Sequence, residues 1–477
     1  MNPARLLLAA SALTLSASLT ACVAGPAPEV ATPAPVLPAT FAYAPDEPTA
    51  AALANLLPQD DPAFVALADR AVASGPTLAE ALARIEQARA GAARTGAERY
   101  PAIGANASVT GTRTNPAQFS SNLPPGVAFD TERVAYAANI TARWDPDVFG
   151  RLRAQERAAI ARLDAADAAA RAVRLALVGE IATTVIDWRT LTARRQAIEA
   201  DLAAATRLAD LTGIREEAGI APGFDRVRAE SISDAARSRL AALASERARL
   251  VGRLMTLTAQ DARTVEAMLE AEAPAPFLSS APASLPSDLL AGRPDVLAAA
   301  ATLRAKDAEL AATARQRFPS FSLSGAIGLL AYGLGDLFES ESVVGSLAAS
   351  VAAPLLDFGR IGAEIDGAAA EKKIAFEAYR GAVFTALGDA ETAYALVAAS
   401  DGEAEAAAQQ AASLDRAARL ASTRYEAGLD SLLAVLDARR AADQSGEQAA
   451  TAAGRARRAR VLLWQALGGN VGVKEQP

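Results

Sequence analysis

RVAYAANITARWDPDVFGR, residues 133–151, joins the two patterns that decide the fold. Val134, Tyr136, Ala138, Ile140, Ala142 and Trp144 take every second place, with Asn139, Thr141 and Arg143 between them, the period of a strand whose two faces differ. The alternation stops at Asp145-Pro146-Asp147, and no further proline occurs until Pro222. That interval consists mainly of Ala, Leu, Arg, Glu and Asp, strong to fair helix formers. It predicts one helix from Arg151 to Gly219, about 100 Å long at 1.5 Å per residue, which no compact globular domain needs. Proline between two aspartates at such a joint reads as helix initiation, in preference to a catalytic carboxylate pair. Trp144 and Tyr136 are candidates for an interfacial aromatic girdle.

Working outward, Gly104–Arg113 is the natural strand partner, across a loop around Asn122–Gly126. Upstream, a helix is expected from Thr77 to Glu98, with Thr77 as N-cap, Glu80 completing a capping box, and Leu78, Leu82 and Ile85 on one face. The plan then recurs. Phe321, Leu323, Gly325, Ile327 and Leu329 alternate with serines, as do Leu347, Ala349, Val351 and Ala353. Phe149-Gly150-Arg151 returns as Phe358-Gly359-Arg360, and Arg215-x-Glu217-Ala218-Gly219 as Arg424-x-Glu426-Ala427-Gly428, both 209 residues on. Tyr100-Pro101 and Phe318-Pro319 lie 218 residues apart, so the first hairpin region is longer by 9. The chain is two copies of helix, β-hairpin, long helix, tight turn and returning helix. Gly219 and Gly428 supply the turns, and Asp430 or Ser431 caps the returning helix of the second copy. Each strand approaches the ~9–11 residues that a tilted strand needs to cross a bilayer. Taken alone, such a hairpin also suits a half-buried soluble sheet. Four strands cannot close a barrel, and open edges are not tolerated in lipid, so a membrane role requires several copies.

Composition removes most catalytic inventories. There is no histidine, one cysteine and 3 methionines in 477 residues, so serine–histidine triads and histidine or thiolate metal sites are excluded. No enzyme activity and no cofactor are expected. A net charge of −8 without a basic block gives no support to nucleic-acid binding. Residues 1–21 read as a secretory signal, with Arg5 before an apolar stretch, and Leu19-Thr20-Ala21-Cys22 is a lipobox whose Cys22 thiol would accept a diacylglycerol. Residues 22–62, rich in Pro and Ala, read as an extended lipidated tether. No run after Cys22 has the roughly 20 apolar residues of a membrane-spanning helix.

Leu285-Pro286-Ser287-Asp288-Leu289-Leu290, Arg293-Pro294-Asp295-Val296, Phe318-Pro319-Ser320-Phe321-Ser322-Leu323 and Pro354-Leu355-Leu356-Asp357-Phe358-Gly359-Arg360 stand in an order that resembles the TolC-like outer-membrane factors, in particular the OprM/NodT lipoprotein branch. Arg424-Tyr425-Glu426-Ala427-Gly428, Val435-Leu436-Asp437-Ala438 and Ala466-Leu467-Gly468-Gly469 extend the resemblance over nearly the whole mature chain. It implies a mainly α fold with a transmembrane β-barrel portion: a homotrimer with a 12-stranded barrel on a long periplasmic helical barrel. The first repeat is then 63–258, an equatorial linker 259–286, the second repeat 287–468, and a tail 469–477. The implied role is exit duct of a tripartite efflux system, partnered by a periplasmic adaptor and an inner-membrane resistance-nodulation-division pump, and lipid-anchored in the outer membrane. Matched position by position, the periplasmic gate falls on Tyr425, Leu433, Asp437 and Arg440. Asp437 and Arg440 stand at i and i+3 and can pair locally or across chains. Where TolC has an arginine after its tip glycine and an aspartate further on, this chain has Asp430 and Ala434, which puts that bonding pattern in doubt. A structural periplasmic coiled-coil lipoprotein and a type I protein-secretion duct are the alternatives. The four alternating strands argue against the first, the lipobox and branch resemblance against the second.

Overall fold

The computed structural model describes residues 29–45, 53–115, 132–272 and 279–469. The signal segment, Cys22, the Asn122–Gly126 loop and the end of the tail lie outside the described residues. The chain divides into two units. One comprises Glu86–Asp164 and Ala301–Glu377 with the N-terminal residues to Pro33; the other comprises Ala34–Ile85, Ala165–Ala300 and the residues from Ala378 on.

In chain order the elements are α1 (Pro62–Ser74), α2 (Pro76–Ala97), β1 (Ala102–Arg113), β2 (Glu132–Trp144), α3 (Arg151–Glu217), α4 (Gly223–Thr258) and α5 (Ala262–Leu269). They continue with α6 (Asp288–Gly292), α7 (Pro294–Ala314), β3 (Ser320–Ala331), β4 (Val343–Ala352), α8 (Arg360–Glu426) and α9 (Leu432–Ala466). The long helix expected from Arg151 and its copy in the second repeat both form: α3 and α8 each contain 67 residues. Asp147 accepts from the backbone N–H of Leu152 (2.9 Å) and Arg153 (2.8 Å), starting α3 as the Asp-Pro-Asp joint implied. Both long helices end on a left-handed glycine, Gly219 (φ 75°) and Gly428 (φ 71°). Ile220 N–H donates to the Arg215 carbonyl (2.9 Å) and Leu429 N–H to that of Arg424 (2.8 Å), the six-to-one closure of a Schellman turn.

Two expectations are corrected. Helix α2 begins at Pro76, so Thr77 lies inside it and is not its cap. Proline is already set for the first helical position, and Gly75 supplies the carbonyl that receives Ala79 N–H (3.1 Å). Glu80 pairs forward with Arg84 at 2.6 Å, and Leu82 is exposed while Leu78 is buried. The Pro/Ala-rich segment forms neither helix nor strand over 29–45, and it is not a tether free of the folded body. Phe41 is buried with its ring 5.5 Å from that of Tyr394, and the backbone N–H groups of Ala42 and Tyr43 donate to the Glu391 carboxylate. The end of that segment opens α1, capped by Asp61, which accepts from Ala63 N–H (3.0 Å).

The core of the second unit gathers Leu67, Ile181, Val185, Leu254, Val265 and Trp464, all fully buried. The first unit has a small core of Leu310, Ala314, Ile361, Ile365 and Ala369, and one antiparallel sheet in the order β1-β2-β3-β4.

Candidate functional site

The sheet carries the first candidate site. Its registers place Ala102 opposite Arg143, Tyr136 opposite Ala331, and Ser320 opposite Ala352. Directly opposed residues share a face. One face therefore collects Ile103, Val109, Val134, Tyr136, Ile140, Trp144, Leu323, Ile327, Leu329, Leu347 and Val351. The other collects Asn106, Ser108, Thr110, Asn139, Thr141, Arg143, Ser322, Ser324, Ser346 and Ser350, and the Ser322 and Ser350 hydroxyls bond at 2.7 Å. Neither face packs on a core: every residue of β1 and of β4 is exposed within the chain. A sheet with one apolar and one hydroxyl-rich face, both uncovered, suits lipid on one side and water on the other. Its outer strands β1 and β4 leave two unpaired edges. Among the described residues no helix is long and apolar enough to cross a membrane.

Where this sheet meets the helices, Phe149 stacks on Phe318 with centroids 4.9 Å apart and planes at 18°, and Arg315 donates to the Phe149 carbonyl at 2.9 Å. Trp144 donates its indole N–H to the Arg99 carbonyl (2.9 Å), so its polar edge is satisfied while its ring stays partly exposed.

The second candidate site is the pair of turns ending α3 and α8. Tyr425 is buried in a cluster with Leu432, Val435 and Leu436, to which Leu208, Leu211 and Ile232 add. Leu433, Asp437 and Arg440 share the exposed side of α9. The local Asp437–Arg440 pair is not formed, and among the described residues neither makes an ion pair within the chain. Of the two cap candidates, Ser431 caps α9 by accepting from Ala434 N–H, whereas Asp430 pairs with Arg424 Nε (3.1 Å).

Arg215 is the tip residue that sequence reasoning missed. Its guanidinium lies 4.4 Å from the centroid of the Tyr425 ring and donates to the carbonyls of Tyr425 (3.2 Å) and Glu426 (3.3 Å). A cation there also complements the C-terminal end of α8. The signal lay in the repeat. Arg215 corresponds to Arg424, but the acid that holds Arg424, Asp430, has Ala221 as its counterpart, which leaves Arg215 to reach the other tip.

Behind the tips, Arg194, Arg239, Arg440, Asp443 and Glu447 line a cavity of about 580 Å³. Arg239 bonds Glu447 at 2.6 Å and lies 3.6 Å from Asp443. Burial, and then the neighbouring carboxyl of Asp443, push Asp201 up to about 7. The folded chain thus holds a proton that the unfolded chain releases near 4, so this carboxyl stabilises the fold at low pH and loses that contribution as pH rises from about 4 to about 7. Asp201→Asn, which keeps the neutral form, should flatten this part of the profile. The check is the melting temperature at pH 5 and pH 8: the wild type should lose more than the variant, and parallel losses would refute the assignment.

Comparisons with known proteins point the same way. A model described as "Outer membrane efflux protein" matches residues 67–260 and 285–469. The solvent efflux pump outer membrane protein SrpC of Pseudomonas putida is 29% identical over 427 residues, covering 87% of each chain. Outer membrane protein OprJ of Pseudomonas aeruginosa is 31% identical over 376 residues, 78% of this chain and 77% of that one. The open-state crystal structure of the Neisseria gonorrhoeae MtrE outer membrane channel superposes with a TM-score of 0.81 at 25% identity, covering 93% of this chain and 97% of that one. With the repeat, the two-faced sheet and the paired long helices on the same residues, the chain belongs to the outer membrane efflux protein family and serves as an outer-membrane exit duct.

Proposed function

We propose that three copies of this chain close a 12-stranded barrel in the outer membrane and pass substrates delivered by an inner-membrane pump of the resistance-nodulation-division type through a periplasmic adaptor. The carrying observation is the uncovered sheet with one apolar face, one hydroxyl-rich face and two free edges. A four-stranded sheet in lipid leaves edge N–H and C=O groups with no water to bond, and three such sheets joined edge to edge leave none. The duct is passive and carries no catalytic centre. The repeats 63–258 and 287–468 each supply one hairpin and one pair of long helices to it. Tyr425, Leu433, Asp437 and Arg440 form the gate at its periplasmic end. Mass determination in detergent together with conductance in planar bilayers tests the assembly: a trimer that conducts is expected, and a conducting monomer would overturn it.

The chain is further held by lipid on Cys22. Several acyl chains on one residue give stable anchoring where one gives only reversible binding. Cys22→Ser should leave the precursor uncleaved at this site. Mass spectrometry of the mature N-terminus decides, and an unmodified Cys22 in membrane-extracted wild type would remove the claim.

A further inference from the structure

Between the end of α2 and the start of α3 lies a cavity of about 410 Å³. Four of its lining side chains are arginines, Arg99, Arg153, Arg157 and Arg315, against one carboxylate, Glu156. Arg99 holds that carboxylate at 2.6 Å. Asp147, the other nearby acid, lies 3.7 Å from Arg153, but its oxygens already accept from the first N–H groups of α3. Arg315 is fixed by bonds to the carbonyls of Phe149 (2.9 Å) and Ala311 (2.6 Å). Arg157 makes neither an ion pair nor a hydrogen bond among the described residues. Like charges converge here without enough acid to offset them, and their mutual repulsion is relieved when an anion enters. The repeated architecture does not demand these cations: at the 209-residue offset Arg153 and Arg157 correspond to Gly362 and Asp366, at the same place on α8.

The position of the cavity selects the anion. Trp144, the last apolar-face residue of β2, donates its indole N–H to the Arg99 carbonyl, so the apolar face of the sheet runs directly onto the cavity. Arg143 and Ser322, from the hydroxyl-rich face, line a separate cavity and do not border this one. A ligand that meets both the apolar strands and the four guanidiniums must be an amphiphile with an anionic head. We propose that this cavity binds the phosphate of an anionic glycerophospholipid whose acyl chains lie along Ile103, Ile140 and Trp144, all exposed on the apolar face. The planar guanidinium fork takes phosphate oxygens in pairs, which a lysine ammonium does not. Basic pockets at the boundary between membrane and water suit such head groups.

This inference rests on the sheet standing in the membrane as part of the duct proposed above, and the test separates the two. The full-length duct in uncharged detergent is titrated with phosphatidylglycerol that carries a brominated acyl chain, which quenches indole fluorescence on contact. Trp144 is the reporter, because it is partly exposed whereas Trp188 and Trp464 are buried. Phosphatidylglycerol should quench at about tenfold lower concentration than phosphatidylcholine with the same chain. Arg157→Gln, which removes no bond of the fold, should raise the concentration needed about fivefold, and Arg153→Gln with Arg157→Gln about 30-fold. Arg113→Gln, at the other end of β1, should leave it unchanged. Equal quenching by the two lipids, or an equal loss from Arg113→Gln, overturns the site. Inorganic phosphate at the concentration of the lipid should not relieve the quench; relief would assign the cavity to free phosphate and overturn the lipid. A duct that conducts in planar bilayers yet shows no such preference overturns the site alone, whereas a chain that does not conduct overturns the reading on which the site rests.

Discussion

Replacing Leu433, Asp437 and Arg440 together by alanine should raise the resting conductance of the purified duct severalfold and admit bulky antibiotics to cells that express it. All three side chains are exposed on α9, while the neighbouring Leu432, Val435 and Leu436 are buried and hold that helix to the rest of the tip. Truncating the exposed three therefore leaves the packing that keeps the turn folded. In the gate proposed above their effect comes from contacts between copies; within the chain, among the described residues, neither Asp437 nor Arg440 makes an ion pair. A single charge pair in a wet constriction contributes only ~0.2–1 kcal/mol, but threefold symmetry repeats it three times around the axis. Such contacts can be broken without unfolding the long helices, which is what a gate requires. The structure gives Tyr425 a different place from its three companions. Its ring packs under Arg215, so Tyr425→Phe, which keeps the ring face, should change little, whereas Arg215→Ala unties the two tips and should add to the leak. Conductance is measured in planar bilayers at fixed salt. An unchanged value in a correctly assembled triple variant would sink the gating assignment.

What the sequence made legible, and what it hid, divides along the range of the interactions involved. Period-two alternation located both hairpins, because an uncovered two-faced sheet writes its faces directly into neighbouring residues, as in Tyr136, Ala138, Ile140 and Trp144 against Asn139, Thr141 and Arg143. Proline spacing located the first 67-residue helix, because one internal proline would have broken it, and the 209-residue offset located the second. The turn glycines were legible because the left-handed stop strongly favours glycine. The β2–β3 pairing was not, since alternation says which way a residue faces and nothing about which strand lies beside it. The start of helix α2 was misread because Thr77 and Glu80 spell a capping box while Pro76 competes for the first helical position. Arg215 was hidden for a stronger reason. Its partners are 210 and 211 residues away, and only the missing acid at Ala221 marked it as free to reach them. The contacts of Phe41 and Ala42 with Tyr394 and Glu391 were likewise illegible, because a Pro/Ala composition favours an extended chain whether or not a single aromatic in it is buried.

Loss of Asp61 should destabilise the N-terminal part of the body as much as removing a large core side chain. Its carboxylate receives two bonds from Arg189, at 2.9 Å each, with side chains 5% and 13% exposed. The guanidinium also donates to the Leu269 carbonyl (3.0 Å), tying α1, α3 and the end of α5 through one charge pair. Asp61→Ala removes the cap of α1, worth about 1 kcal/mol, and strands a largely buried guanidinium, so the cost is of the order of 3–5 kcal/mol. Arg189→Ala strands the carboxylate instead, although Asp61 keeps its bond from Ala63 N–H, and should cost somewhat less. Replacing both partners by apolar residues of similar volume, Asp61→Leu with Arg189→Met, should recover much of the loss, because burying a matched pair costs desolvation that an apolar pair avoids. The helix cap would still be missing in that double variant, so recovery should stop short of wild type by roughly that 1 kcal/mol. A loosened Asp61 should also expose the start of α1 to protease in the assembled protein. Thermal melts in detergent, paired with limited proteolysis at constant temperature, read both effects. Equal melting temperatures for the wild type and the two single variants would show that the pair is a spectator. A double apolar variant less stable than either single one would show that its geometry, and not the relief of buried charge, holds α1 in place.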